Sequence, residues 1–151
     1  MNKETAYHLV RETLESHFPE IKRKSIRISF SRGSDFYMAI QWIFFYYHLT
    51  IDHSALKFSD VAFKGCSGHE LSHVLQMKQK GFVRNIISAF QKINSTTEER
   101  EADLLTVKKG LGHHLLQFHI EHNKKYKSYK KSEGLTRQEI KKLLHSQSSR
   151  S

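Results

Sequence analysis

Cysteine, proline and long apolar runs are scarce in this 151-residue chain, and each shortage excludes something. The one cysteine, Cys66, forbids an internal disulfide and points to a reducing compartment. The one proline, Pro19, excludes a proline-rich linker or stalk. The longest purely apolar and aromatic run is Trp42-Ile43-Phe44-Phe45-Tyr46-Tyr47. It falls far short of the ~18 residues that cross a bilayer. Met1-Asn2-Lys3-Glu4-Thr5 lacks the apolar stretch of a secretory signal. Together these shortages predict a soluble cytoplasmic protein with no membrane partner.

Negative charge is also in short supply. Against 25 Lys/Arg stand 15 Asp/Glu, a formal net charge of +10. Residues 124–151 hold nine of the basic residues and two Glu, a net +7, so the preceding body carries only +3. Such a tail either keeps the protein soluble or makes an electrostatic contact with nucleic acid or an acidic protein. Tyr126 and Tyr129 among its lysines resemble, thinly, the alternation of single-strand binders. What the chain does have in quantity is histidine: eleven, enough to raise the expectation of a metal site.

Hydrophobic residues at 38% suffice for one core. Ala6, Leu9, Val10, Leu14 and Phe18 recur at helical spacing and predict a helix over residues 3–18, stopped by Pro19. Residues 25–30 alternate as a half-buried strand does. Residues 36–51, rich in aromatic and β-branched side chains, predict one or two more. Ser59-Asp60 opens a helix expected to close at Gly81, with a shorter helix over 82–93. Ser95 and Glu98 are spaced as a capping box for the next helix, which ends at Lys108-Lys109-Gly110. Residues 111–123 form another, and Thr136 to Glu139 cap a last short one. The order predicts an α+β fold, with one domain over 1–126 and a basic appendage with one short helix over 127–151.

The sharpest motif is His69-Glu70-Leu71-Ser72-His73 in the predicted Ser59 helix. Positions i and i+4 lie one turn apart on one face, so both imidazoles can hold one cation. Glu70 then stands where its carboxylate can reach a water on that cation, as a general base. Catalytic zinc takes three protein ligands. Twenty-six residues on, Glu99 and Asp103 again share a helix face. Glu99 is a candidate third ligand, and Asp103 a candidate acceptor for the far N–H of a ligating histidine. Glu101 is the rival ligand, and Cys66, on the histidines' face, is either a thiolate ligand or a packed core residue. His113, His114, His119, His122 and Tyr126 are candidate donors to an oxyanion, or ordinary surface groups.

Gly68 to His73, followed by Glu99-Arg100-Glu101-Ala102-Asp103, resembles the gluzincin metallopeptidases, with H-E-x-x-H on one helix and E-x-x-x-D on a later one. The E-x-E-A-D form is similar to HtpX-type and CAAX-type peptidases, which have membrane helices. In length and layout the chain is closer to the small soluble minigluzincins. The resemblance covers roughly residues 40–125 and about eight positions. It implies a zincin-like fold for residues 1–126 and Zn2+ held by His69, His73 and Glu99, with Glu70 as general base and acid and Asp103 supporting a ligand. It also implies an endopeptidase, active or latent, acting on peptides or unfolded proteins. The competing expectation is a non-enzymatic metal-containing binding module whose basic tail contacts nucleic acid or an acidic protein.

Overall fold

Asn2 opens the first helix, α1 (Lys3–His17), its side-chain oxygen accepting the Thr5 N–H at 2.8 Å. The buried face is Ala6, Leu9, Val10, Thr13 and Leu14, the stripe legible in the sequence. A computed structural model describes residues 1–90, 95–125 and 134–148; the side chains of 80–90, 95 and 123–125 are outside that description. After α1 come three strands, β1 (Ile26–Ser31), β2 (Met38–Ile43) and β3 (Tyr46–Asp52). Their order is β1-β3-β2, with β3 parallel to β1 and antiparallel to β2. One face is apolar: Ile26, Met38, Leu49 and Ile51 are buried, with Ile28, Phe30, Ile40 and Tyr47 packed around them.

β2 lies at the edge of the sheet. The Tyr37 carbonyl accepts the Asp52 N–H at 2.8 Å, which fixes the alternation along the pair. Residues 39, 41 and 43 therefore bond to β3, while Met38, Ile40 and Trp42 turn their backbone groups outward. At the end of β3, buried Asp52 accepts the amides of Ser34 and Ser54 at 3.1 and 2.9 Å, tying two loops together. Burial alone would raise its carboxyl; these donors outweigh that and hold it far below the usual range.

Ser59 caps α2 (Asp60–Phe90), its hydroxyl accepting the Ala62 N–H at 3.2 Å. The expected break at Gly81 does not occur. α2 runs through it to Phe90, and the rest of the expected short helix, residues 91–93, lies outside the description. A helical glycine costs about 1 kcal/mol relative to alanine, which a helix of this length absorbs. Then α3 (Ser95–Thr106) passes through one wide turn, Val107–Leu111, into α4 (Gly112–Lys125), the chain bending at Gly110 with φ +83°. The Ser95 side chain of the expected capping box lies outside the description. α5 (Arg137–Ser148) opens on a capping box: the Thr136 N–H donates to Glu139 at 2.8 Å, and the Glu139 N–H to the Thr136 hydroxyl at 3.3 Å.

Two apolar clusters hold these elements. One joins α1, the sheet and α2 through Leu14, Phe18, Ile26, Leu49, Phe63 and Leu71. The other joins Val107 and Leu115 to Leu135 and Ile140. Leu135, just before α5, and Ile140 within it are buried in this second cluster. The expected boundary at 126 lies outside the described residues. The fold is α+β, and no helix among the described residues is long and apolar enough to cross a membrane.

Candidate metal centre

α2 and α3 meet through buried hydroxyls: Ser72 Oγ and Thr106 Oγ1 lie 2.9 Å apart. One turn apart on α2 stand His69 and His73, and one turn apart on α3 stand Glu99 and Asp103. The pairs meet in reverse order, His69 against Asp103 and His73 against Glu99. Hydrogen bonds then decide which imidazole nitrogens carry protons. The Gln76 amide donates to the Glu98 carbonyl at 2.9 Å, so its oxygen is the atom facing His73 Nδ1 at 2.7 Å. His73 Nδ1 therefore donates, and its Nε2 carries the lone pair when the ring is neutral. His69 Nδ1 donates likewise to Asp103 Oδ1 at 2.7 Å. The other Asp103 oxygen accepts the Leu135 N–H at 2.7 Å.

Both Nε2 atoms and the Glu99 carboxylate thus point at one another. The His69 and His73 nitrogens are 3.1 Å apart, and Glu99 lies 3.0 Å from the first and 3.4 Å from the second. Three lone-pair atoms in mutual contact repel unless a proton or a metal cation lies among them. Zinc bonds of ~2.0–2.1 Å in a tetrahedron set ligand atoms roughly 3.3 Å apart, and the observed separations bracket that value. His69, His73 and Glu99 could hold a metal ion.

The electrostatics agree. Burial would lower the His69 pKa, but its bonds to Asp103 and Glu99 outweigh burial and raise it well above the ordinary value. Burial would raise Glu99, yet its bonds to His69 and His73 hold it far below the usual carboxylate range. Side-chain exposure rises from 2% at Asp103 through 15% and 20% at the histidines to 34% at Glu99. The cluster is anchored at Asp103 and opens to solvent at Glu99.

Glu70 comes near the backbone of Ile40 on the outer edge of β2, which favours its ionised carboxylate. Burial raises its pKa, while His69 and His73 pull it back. It stands between the cluster and the open strand edge.

No family model matches this chain, and neither does any curated protein or solved structure. Its chemistry must be argued from its own residues.

All five residues singled out in the sequence converge here: His69, His73 and Glu99 as the cluster, Asp103 behind His69, and Glu70 beside it. Glu101 instead approaches the Gln76 amide at 3.4 Å, outside the cluster. Cys66 is a buried core thiol, its pKa pushed up by burial. Among the candidate oxyanion donors, His119 alone is shown feeling the charges of Asp103 and His69, with burial keeping it neutral. His113 is exposed, His122 packs on Tyr37, and Tyr126 lies outside the described residues. Two partners were missed. Gln76 lies three residues after His73, on the same face, and could have been read from helical spacing. The Leu135 amide carries no signal in sequence. Gly134 before it allows the contact, since a Cβ there would lie 2.2 Å from Asp103 Oδ2.

Proposed function

We propose that this chain is a zinc-dependent endopeptidase of the gluzincin type, with His69, His73 and Glu99 as the ligands. The observation that carries it is the convergence of three lone-pair atoms whose tautomers are set by Asp103 and Gln76. Zinc held there supplies Lewis acidity toward a scissile carbonyl and toward water. The chain's own residues supply the rest. Glu70, close enough to feel both histidines and with its pKa raised by burial, takes the proton from the attacking water and passes it to the leaving amine. His119, held neutral by burial and within reach of the charges on Asp103 and His69, serves as the N–H donor to the developing oxyanion in this reading. A peptide lies extended along the outer edge of β2, on which no described strand pairs. An edge strand takes an extended chain most readily, so the substrate is an unstructured peptide or an unfolded protein.

Glu70→Gln keeps the shape of the side chain but cannot act as a base at neutral pH. Turnover of a broad peptide library should drop by ~10²–10⁴-fold while zinc content by elemental analysis stays at the parent level. Zinc-loaded parent protein that cleaves nothing in that library would reduce the cluster to a structural metal site.

A further inference from the structure

The middle of the chain's longest apolar run, Phe44-Phe45, finds no use in the core. Residues 42–47 form the tip of the β2–β3 hairpin, where Phe44 is 75% exposed and Phe45 96%. A two-residue hairpin turn favours Asn-Gly or Gly-containing pairs. Phe44 sits instead at φ +47°, a backbone conformation that bulky side chains rarely adopt. Folding gives no reason for phenylalanine at either position. Behind the tip stand amphipathic rings: Trp42, with its ring 6.3 Å from that of Phe44, and Tyr46.

The same end of the sheet is basic. β1 and β3 are parallel with Ile26 opposite Tyr47, so the segment before β1 lies beside the hairpin tip. That segment is Lys22-Arg23-Lys24, exposed throughout, followed by exposed Arg27, whose guanidinium lies 3.9 Å from the centre of the Tyr46 ring. Glu15, paired with Arg23 at 3.1 Å, is the acid that answers them.

We propose that the Phe44-Phe45 hairpin, with Lys22, Lys24 and Arg27 behind it, docks this protein on an anionic lipid bilayer surface. The two rings enter the interface, Trp42 and Tyr46 sit at headgroup depth, and the cations meet lipid phosphates and carboxylates. A fluid interface deforms around a convex two-residue tip, whereas a folded protein would have to present a matching socket. The lack of a membrane-spanning segment, from which the sequence suggested no membrane partner, bears only on crossing and leaves surface docking open. The proposal does not depend on the metal centre.

The chain's single tryptophan, Trp42, reports on the contact directly. Phosphatidylcholine vesicles with roughly one third phosphatidylserine should co-sediment the full chain and shift Trp42 emission to the blue, and phosphatidylcholine alone should do so weakly. Phe44→Ser and Phe45→Ser should each weaken binding about tenfold or more. Lys22→Glu with Lys24→Glu should weaken binding to the anionic vesicles alone, and raised salt should mimic it. Both phenylalanines are exposed, so circular dichroism should show their variants folded. The proposal fails if Trp42 does not shift, if the double Phe→Ser variant binds like the parent, or if an oligonucleotide shifts Trp42 where vesicles do not. Co-sedimentation without a Trp42 shift would assign the binding to another basic segment and also overturn it.

Discussion

Asp103 and Gln76 never enter the cluster, yet they determine what its atoms can do. Each accepts from one Nδ1–H and so exposes an Nε2 lone pair. Gln76→Ala should weaken zinc binding roughly 10–100-fold, read by competition with a chromogenic chelator. Asp103→Asn should match or exceed that loss, because an amide offers one oxygen where the carboxylate serves both His69 and the Leu135 N–H. Parent-like affinity in both variants would mean that tautomer control is irrelevant here. Gly134→Ala tests the same point from outside, since its Cβ would displace Asp103 Oδ2. That His69, His73, Glu99 and Asp103 would come together was legible because a helical spacing of four projects each pair onto one face. The backbone amide that completes the site was not, because every residue but proline has one.

At the level of elements, the sequence shows where helices begin better than where they stop. Asn2, Ser59 and Thr136 cap as their side chains demand, but Gly81 lies inside α2. A glycine ends a helix only if the following chain turns away, and that is settled by packing partners remote in sequence. Gly65 shows such a partner: its missing Cβ would lie 2.2 Å from the His114 backbone oxygen, so α2 and α4 touch main chain to main chain. Gly65→Ala should therefore destabilise by more than ~1 kcal/mol in urea unfolding, since a backbone carbonyl cannot swing aside. The α3–α5 contact should respond to acid. Arg100 is the main reason that Glu139 titrates near about 2, against about 4.3 in an unfolded chain. Its contribution is complete above ~4.3 and is lost as pH falls toward about 2. Amide exchange in α5 should quicken over that window, modestly for an exposed pair, and Arg100→Gln should flatten the response.

Taken whole, the molecule is less divisible than its charge distribution suggested. A net +7 concentrated at one end looks like a detachable tail, but charge says where water is tolerated, not which apolar residues lie between the lysines. Leu135 and Ile140 are two such residues, and both are buried. Removing everything after residue 133 should lower stability by ~3–6 kcal/mol on their burial alone, measured by urea unfolding. A truncated chain as stable as the parent would support an appendage over 127–151. The Leu135 amide on Asp103 has one more consequence. Anything that secures Asp103 against His69 also secures the segment entering α5, so ion uptake and docking of that segment form the two sides of one thermodynamic cycle. Its two coupling factors must be equal. If zinc slows digestion of the C-terminal region by an added protease tenfold, cutting that region must loosen the ion tenfold. In the proposed metal site, the segment entering α5 would thus act as a latch on an ion it never touches.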